Sequence, residues 1–160
     1  MSRLTVKGVK NFMGHDCPGY NCTLYLDGEK VATVVYDGGG GDTQYGFYFL
    51  TDAADRRALE KKVMDFARTL PDPDWFKESD VKDEDGRVRL DCLVEDLVAE
   101  DGWRRKVARA CKKKTAFVLP TDEKDSFRVL SLPWGDLAKA WLAKKYPGVK
   151  VRVLNEEQRP

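Results

Sequence analysis

Asp27-Gly28 is the dipeptide that most constrains what this chain can fold into. A two-residue hairpin turn that matches the twist of its strands needs positive φ at both central positions, which Asp-Gly tolerates well. The flanks agree with a hairpin. Cys22-Thr23-Leu24-Tyr25-Leu26 alternates in polarity before the turn, and Val31 to Tyr36 is β-branched after it. Upstream, Leu4 and Val6 alternate with Thr5 and Lys7, and Gly8 marks a bulge. Downstream, Tyr45 to Leu50 reads as a last, aromatic strand. Its Tyr45, Phe47 and Phe49 share one face against the core, with Tyr48 on the other. The opening fifty residues are therefore expected to form an antiparallel meander.

At Thr51 the hydrophobic period changes from two to that of a helix. Leu59, Val63, Phe66 and Leu70 make one stripe, with Thr51 or Asp52 as the cap and Pro71 as the stop. Pro71 to Gly86 reads as an acidic loop whose Trp75 and Phe76 fold back onto the core. Leu90, Leu93, Val94, Leu97 and Val98 predict a second helix. Trp103, Val107, Ala110 and Cys111 predict a third, with Asp101-Gly102 as a hinge. Thr115 to Leu119 and Phe127 to Leu132 predict a second hairpin. Asp136 is expected to cap a helix closed by Pro147-Gly148, and Val149, Val151 and Val153 a final strand. Strands first and helices next predict an α+β fold: an N-terminal β-meander, helices, a second hairpin and a C-terminal helix–strand. No repeat or linker divides the chain, so residues 1–160 are expected to be one globular domain.

Composition narrows the class. Four Trp, six Tyr and seven Phe in 160 residues supply enough apolar surface for a core. No apolar run approaches a membrane span and no secretory h-region opens the chain, so the expectation is a cytoplasmic protein with no membrane partner. Cys17, Cys22, Cys92 and Cys111 are then read as reduced thiols. The formal net charge is only +1, but it is unevenly spread. Pro71 to Asp101 holds twelve acids against four cations, while Gly102 to Lys114 holds seven cations and no acid. Such asymmetry points to a partner surface.

Gly19-Tyr20-Asn21-Cys22-Thr23-Leu24-Tyr25-Leu26-Asp27-Gly28-Glu29-Lys30-Val31-Ala32, followed by Asp37-Gly38-Gly39-Gly40-Gly41, resembles the amino-terminal signature of a group of small uncharacterised proteins of bacteria and phages. Leu93 to Val98 followed by Lys112-Lys113-Lys114 is similar to the middle of the same group. Its glycine-rich segment often reads Asp-Gly-His-Gly-Gly, and here Gly39 stands in the His position. The resemblance implies no activity and no cofactor. It implies an accessory protein of a phage or mobile element.

Four features could carry chemistry. The segment from Gly14 to Cys22 joins the single His15 to Cys17 and Cys22, three metal-type ligands at an unusual spacing. Against a metal or a Cys–His nucleophile stands a simpler reading, in which His15 and Asp16 bond loop backbone and Cys22 packs inward. The run Gly38 to Gly41 exposes backbone N–H groups, and Gly39 and Gly40 could order around a ligand. It lacks the Gly-Lys-Ser/Thr ending of a phosphate loop, so a flexible connection between strands competes. The basic helix 103–114 places Arg105, Arg109, Lys112, Lys113 and Lys114 away from its apolar stripe. The plainest reading of those cations is a solvated or internally paired face, with the late lysines suiting the helix dipole; the alternatives are phosphates or an acidic protein partner. The aromatic strand could stack bases, but packing against the neighbouring helix is the better explanation of it.

With one His, no paired-carboxylate motif and no phosphate loop, no catalytic residue and no cofactor is assigned. The leading expectation is an accessory protein that binds another macromolecule, a protein first. The alternatives are a nucleic-acid-binding module using the basic helix and a small enzyme or metal site on the His15/Cys17/Cys22 loop.

Overall fold

In the computed structural model, which describes residues 3–47, 49–71 and 86–157, the hairpin turn adopts φ of 53° at Asp27 and 86° at Gly28. Strand β2 (Pro18–Leu26) enters it and β3 (Glu29–Tyr36) leaves antiparallel, with Leu26 opposite Glu29. Strand β1 (Leu4–Met13) flanks β2, and its register slips between Lys7 and Lys10, where the bulge is expected. Strand β4 (Gln44–Gly46) pairs with β3 and completes the order β1-β2-β3-β4. The alternation read in β2 is real: Cys22, Leu24 and Leu26 are buried while Thr23 and Tyr25 are half-buried.

β4 is shorter than the aromatic strand expected from Tyr45 to Leu50. It ends at Gly46, a residue that weakens a strand, and Thr33 Oγ1 seals the end by donating to the Gly46 carbonyl. Phe47 is buried, but Phe49 is exposed beneath the Lys30 ammonium, 4.5 Å from its ring centre. Tyr45, Phe47 and Phe49 thus do not form one core face, and Tyr48 lies outside the described residues.

The fold divides into two compact units, Met1–Asp101 and Gly102–Pro160. In the first, α1 (Ala53–Ala67) starts where Asp52 accepts from the Ala54 and Asp55 amides at 2.7 and 3.1 Å. Val63 and Ala67 from α1, with Leu90, Val94 and Val98, bury against Leu24, Val31, Ala32 and Val34 of the sheet. Each large aliphatic side chain so buried contributes roughly 1.5–3 kcal/mol.

Helix α2 (Arg87–Cys111) runs unbroken through Asp101 and Gly102. The expected hinge is therefore absent. A glycine inside a helix costs only about 1 kcal/mol, which apolar burial on both sides of Gly102 outweighs.

In the second unit, β5 (Thr115–Val118) pairs antiparallel with β6 (Arg128–Leu130) and β7 (Arg152–Val153), in the order β6-β5-β7. Ala116 and Val118 pack with Val107 of α2 and with Leu154. Phe117 and Leu119 pack on the opposite side with Leu142 of α3 (Asp136–Lys145). Gly135, not Asp136, precedes the first turn of α3, and no side chain caps it. The last strand is cut to two residues because the chain turns at once into α4 (Leu154–Glu157). The residues form an α+β protein, and among those described no helix is long and apolar enough to cross a membrane. Trp75 and Phe76 lie outside the described residues.

Candidate functional site

The glycine run is a clasp. The Gly38 carbonyl accepts from the Asp16 and Cys17 amides, both at 2.9 Å, and from the Cys17 thiol at 3.5 Å. Gly38 has φ of +73°, and a Cβ there would overlap the Cys17 carbonyl. Gly39 spends its N–H on Asp37 Oδ1 at 2.8 Å, so it has no amide to offer an anion. Gly40 is exposed, with open space around it.

The same clasp separates His15, Cys17 and Cys22. The His15 side chain is 90% exposed and its Nδ1 lies 2.8 Å from Asp16 Oδ1. Cys17 is half-buried against the Tyr36 hydroxyl at 3.3 Å. Cys22 is 6% exposed in the sheet core, and burial pushes its thiol up to about 11. A strand that alternates faces cannot send Cys22 to the same place as an outward loop histidine. Among the described residues no cluster of three His, Cys, Asp or Glu is arranged to hold a metal.

A polar cluster that the sequence reading missed sits where the sheet meets the first turns of α2. Tyr45 donates to Asp91 Oδ1 at 2.6 Å, and Arg87 donates to the Thr43 carbonyl at 2.7 Å. The Arg87 guanidinium also lies 4.8 Å from the Tyr45 ring centre. Desolvation lifts the Asp91 carboxyl, with the Tyr45 bond and Arg87 opposing it, and it lifts Glu95 one turn later. Burial also drives the Tyr45 phenol far above its usual range and Tyr20 up to about 12. Both phenols stay neutral at physiological pH, and the Tyr45–Asp91 bond fastens β4 to α2. The i, i+4 spacing of Arg87, Asp91 and Glu95 was the available signal, hidden inside an acidic block that reads as solvated surface.

The second unit is the strongly charged one. It holds fifteen Lys and Arg against six Asp and Glu, a net +9, whereas the first holds thirteen against twenty-one. The end of α2 carries the densest part. Lys106, Arg109, Lys112, Lys113 and Lys114 are all exposed, and no ion pair engages them among the described residues. Arg105 is exposed too, but it is already engaged within the chain, as is Arg104. Elsewhere in this unit Asp122 pairs with Arg128 at 2.7 Å and Glu157 with Arg152 at 2.6 Å.

A buried asparagine holds the basic turn in place. Asn155 accepts from the Ala116 amide at 2.7 Å and donates from Nδ2 to the Lys114 and Cys111 carbonyls at 2.9 and 3.3 Å. Those carbonyls belong to the end of α2 and to the turn that follows it, where acceptors lack helical partners. The three lysines therefore leave a pinned backbone, at the negative end of the helix dipole. Such a surface can attract a polyanion, and little in its own unit neutralises it. No protein-family model, no curated protein and no solved structure matches this chain.

Proposed function

We propose that the protein binds nucleic acid through the surface at the end of α2, with Arg109, Lys112, Lys113 and Lys114 on phosphates and Lys106 beside them. One observation carries the reading: five exposed cations that make no ion pair among the described residues, on a unit of net +9. Each phosphate neutralised releases counterions, so the contact would be strongly salt-dependent and weakly selective for sequence. The side chains invoked are all Lys and Arg, which suits recognition of the phosphate backbone.

Fluorescence anisotropy with a labelled duplex and a labelled single strand tests it. Binding should appear at about 50 mM salt and fade steeply by about 200 mM, with a log–log slope on the order of −4 for five phosphate contacts. The triple variant Lys112→Glu, Lys113→Glu, Lys114→Glu should abolish binding. No binding to either strand form at low salt overturns the proposal and leaves an acidic protein surface as the partner for the same lysines.

A further inference from the structure

A cleft of about 400 Å³ opens between the end of the first sheet and the start of α1, lined by Tyr45, Phe47, Ala53, Arg56, Arg57 and Glu60. We propose that it binds a nucleoside monophosphate, a site separate from the basic surface of the second unit. The volume falls within the roughly 300–1,000 Å³ of small-molecule sites.

The argument rests on pairings that α1 does not make. Lys61 pairs with Asp65 at 2.6 Å, Lys62 with Glu29 at 3.2 Å and Arg68 with Asp65 at 2.8 Å. Arg56 and Arg57 stand four and three residues before Glu60, the spacings at which helix ion pairs form. Neither pairs with it among the described residues. Among the described residues Arg56 reaches only the Thr51 and Asp52 carbonyls, both at 3.4 Å, and Arg57 and Glu60 have no side-chain partner. This occurs in a unit with eight more acids than cations, where partners for arginine abound.

Three unmet requirements then meet in one cleft. Two guanidiniums want an anion, and a phosphate dianion offers the oxygens for bidentate bonds. The Glu60 carboxylate wants donors, which ribose hydroxyls or an exocyclic amino group supply. The exposed parts of Tyr45 and of the largely buried Phe47 line the cleft and offer apolar contact to the edge of a flat ring. That lining is rigid, because Asp91 holds the Tyr45 hydroxyl at 2.6 Å and Phe47 is 8% exposed. Inorganic phosphate satisfies the first requirement alone, and a nucleoside only the other two.

Calorimetric titration of the full chain with adenosine 5′-monophosphate, adenosine and inorganic phosphate reads the proposal directly. The monophosphate should bind at least about tenfold tighter than either fragment, and Arg57→Ala and Glu60→Gln should each weaken it by about tenfold. Both residues are exposed, so the variants should fold, which circular dichroism checks. The Lys112–Lys114 triple variant should leave monophosphate binding unchanged, separating this site from the nucleic-acid surface. A 5′-phosphorylated oligonucleotide, titrated against that triple variant, tells whether the same group arrives at the end of a strand. A monophosphate that binds no better than its fragments, or an Arg57→Ala variant that binds it normally, overturns the proposal.

Discussion

Asn155→Ala is the perturbation whose cost can be worked most directly from the structure. The side chain is 8% exposed and makes three hydrogen bonds, at 2.7, 2.9 and 3.3 Å. Ala116 is fully buried, so its amide would lose the Asn155 oxygen where water cannot replace it and keep only the weaker Cys111 sulfur; such a loss costs about 1–3 kcal/mol. The Lys114 and Cys111 carbonyls lie nearer solvent and add less. A total of about 2–4 kcal/mol follows. For a unit of this size each kcal/mol moves the melting temperature by roughly 4–8 °C, so a drop on the order of 10–20 °C is expected. Trp103, Trp134 and Trp141 all belong to the second unit, which makes tryptophan fluorescence during urea unfolding the natural assay. Glu156→Ala, one residue on and exposed, is the control and should stay within about 0.5 kcal/mol of wild type. An Asn155→Ala midpoint that also stays within about 0.5 kcal/mol refutes the clamp.

Gly102→Ala should stabilise the protein by roughly 0.5–1 kcal/mol, because the position is helical with open space for a Cβ; destabilisation in a chemical melt would restore the hinge. Gly38→Ala should cost more than about 1–2 kcal/mol, since positive φ and the Cys17 carbonyl both oppose a side chain. Gly40→Ala, with positive φ but open space, should cost less, and equal midpoints would contradict the clasp. Arg128 holds the Asp122 carboxyl below its ordinary range, helped by the Leu119 amide. A depressed acid stabilises the fold above its unfolded pKa, and that contribution disappears as pH falls through the lower folded value. Asp122→Asn should therefore flatten the acid limb of stability against pH, and an unchanged limb would remove Asp122 from its cause.

Local chemistry decided a good part of this protein on its own. Asp27-Gly28 dictated a hairpin because few residues accept positive φ, and alternation in β2 chose the inward face through Leu24. Asp52 capped α1 because its side chain needs only the next two or three amides. The basic face of α2 was equally legible, since charge and helical period are both written in the residue order. Gly102 shows where such reading fails: a glycine looks like a hinge until burial on both sides outweighs its propensity. The Tyr45–Asp91 bond, the Asn155 clamp and the cleft at Arg57 were hidden for a different reason. They join residues dozens of positions apart, or leave near neighbours unpaired, and no local periodicity records which side chains a sheet and a helix bring within 3 Å. Only the packing of the folded chain decides that, because burial sets which polar groups must find a partner inside.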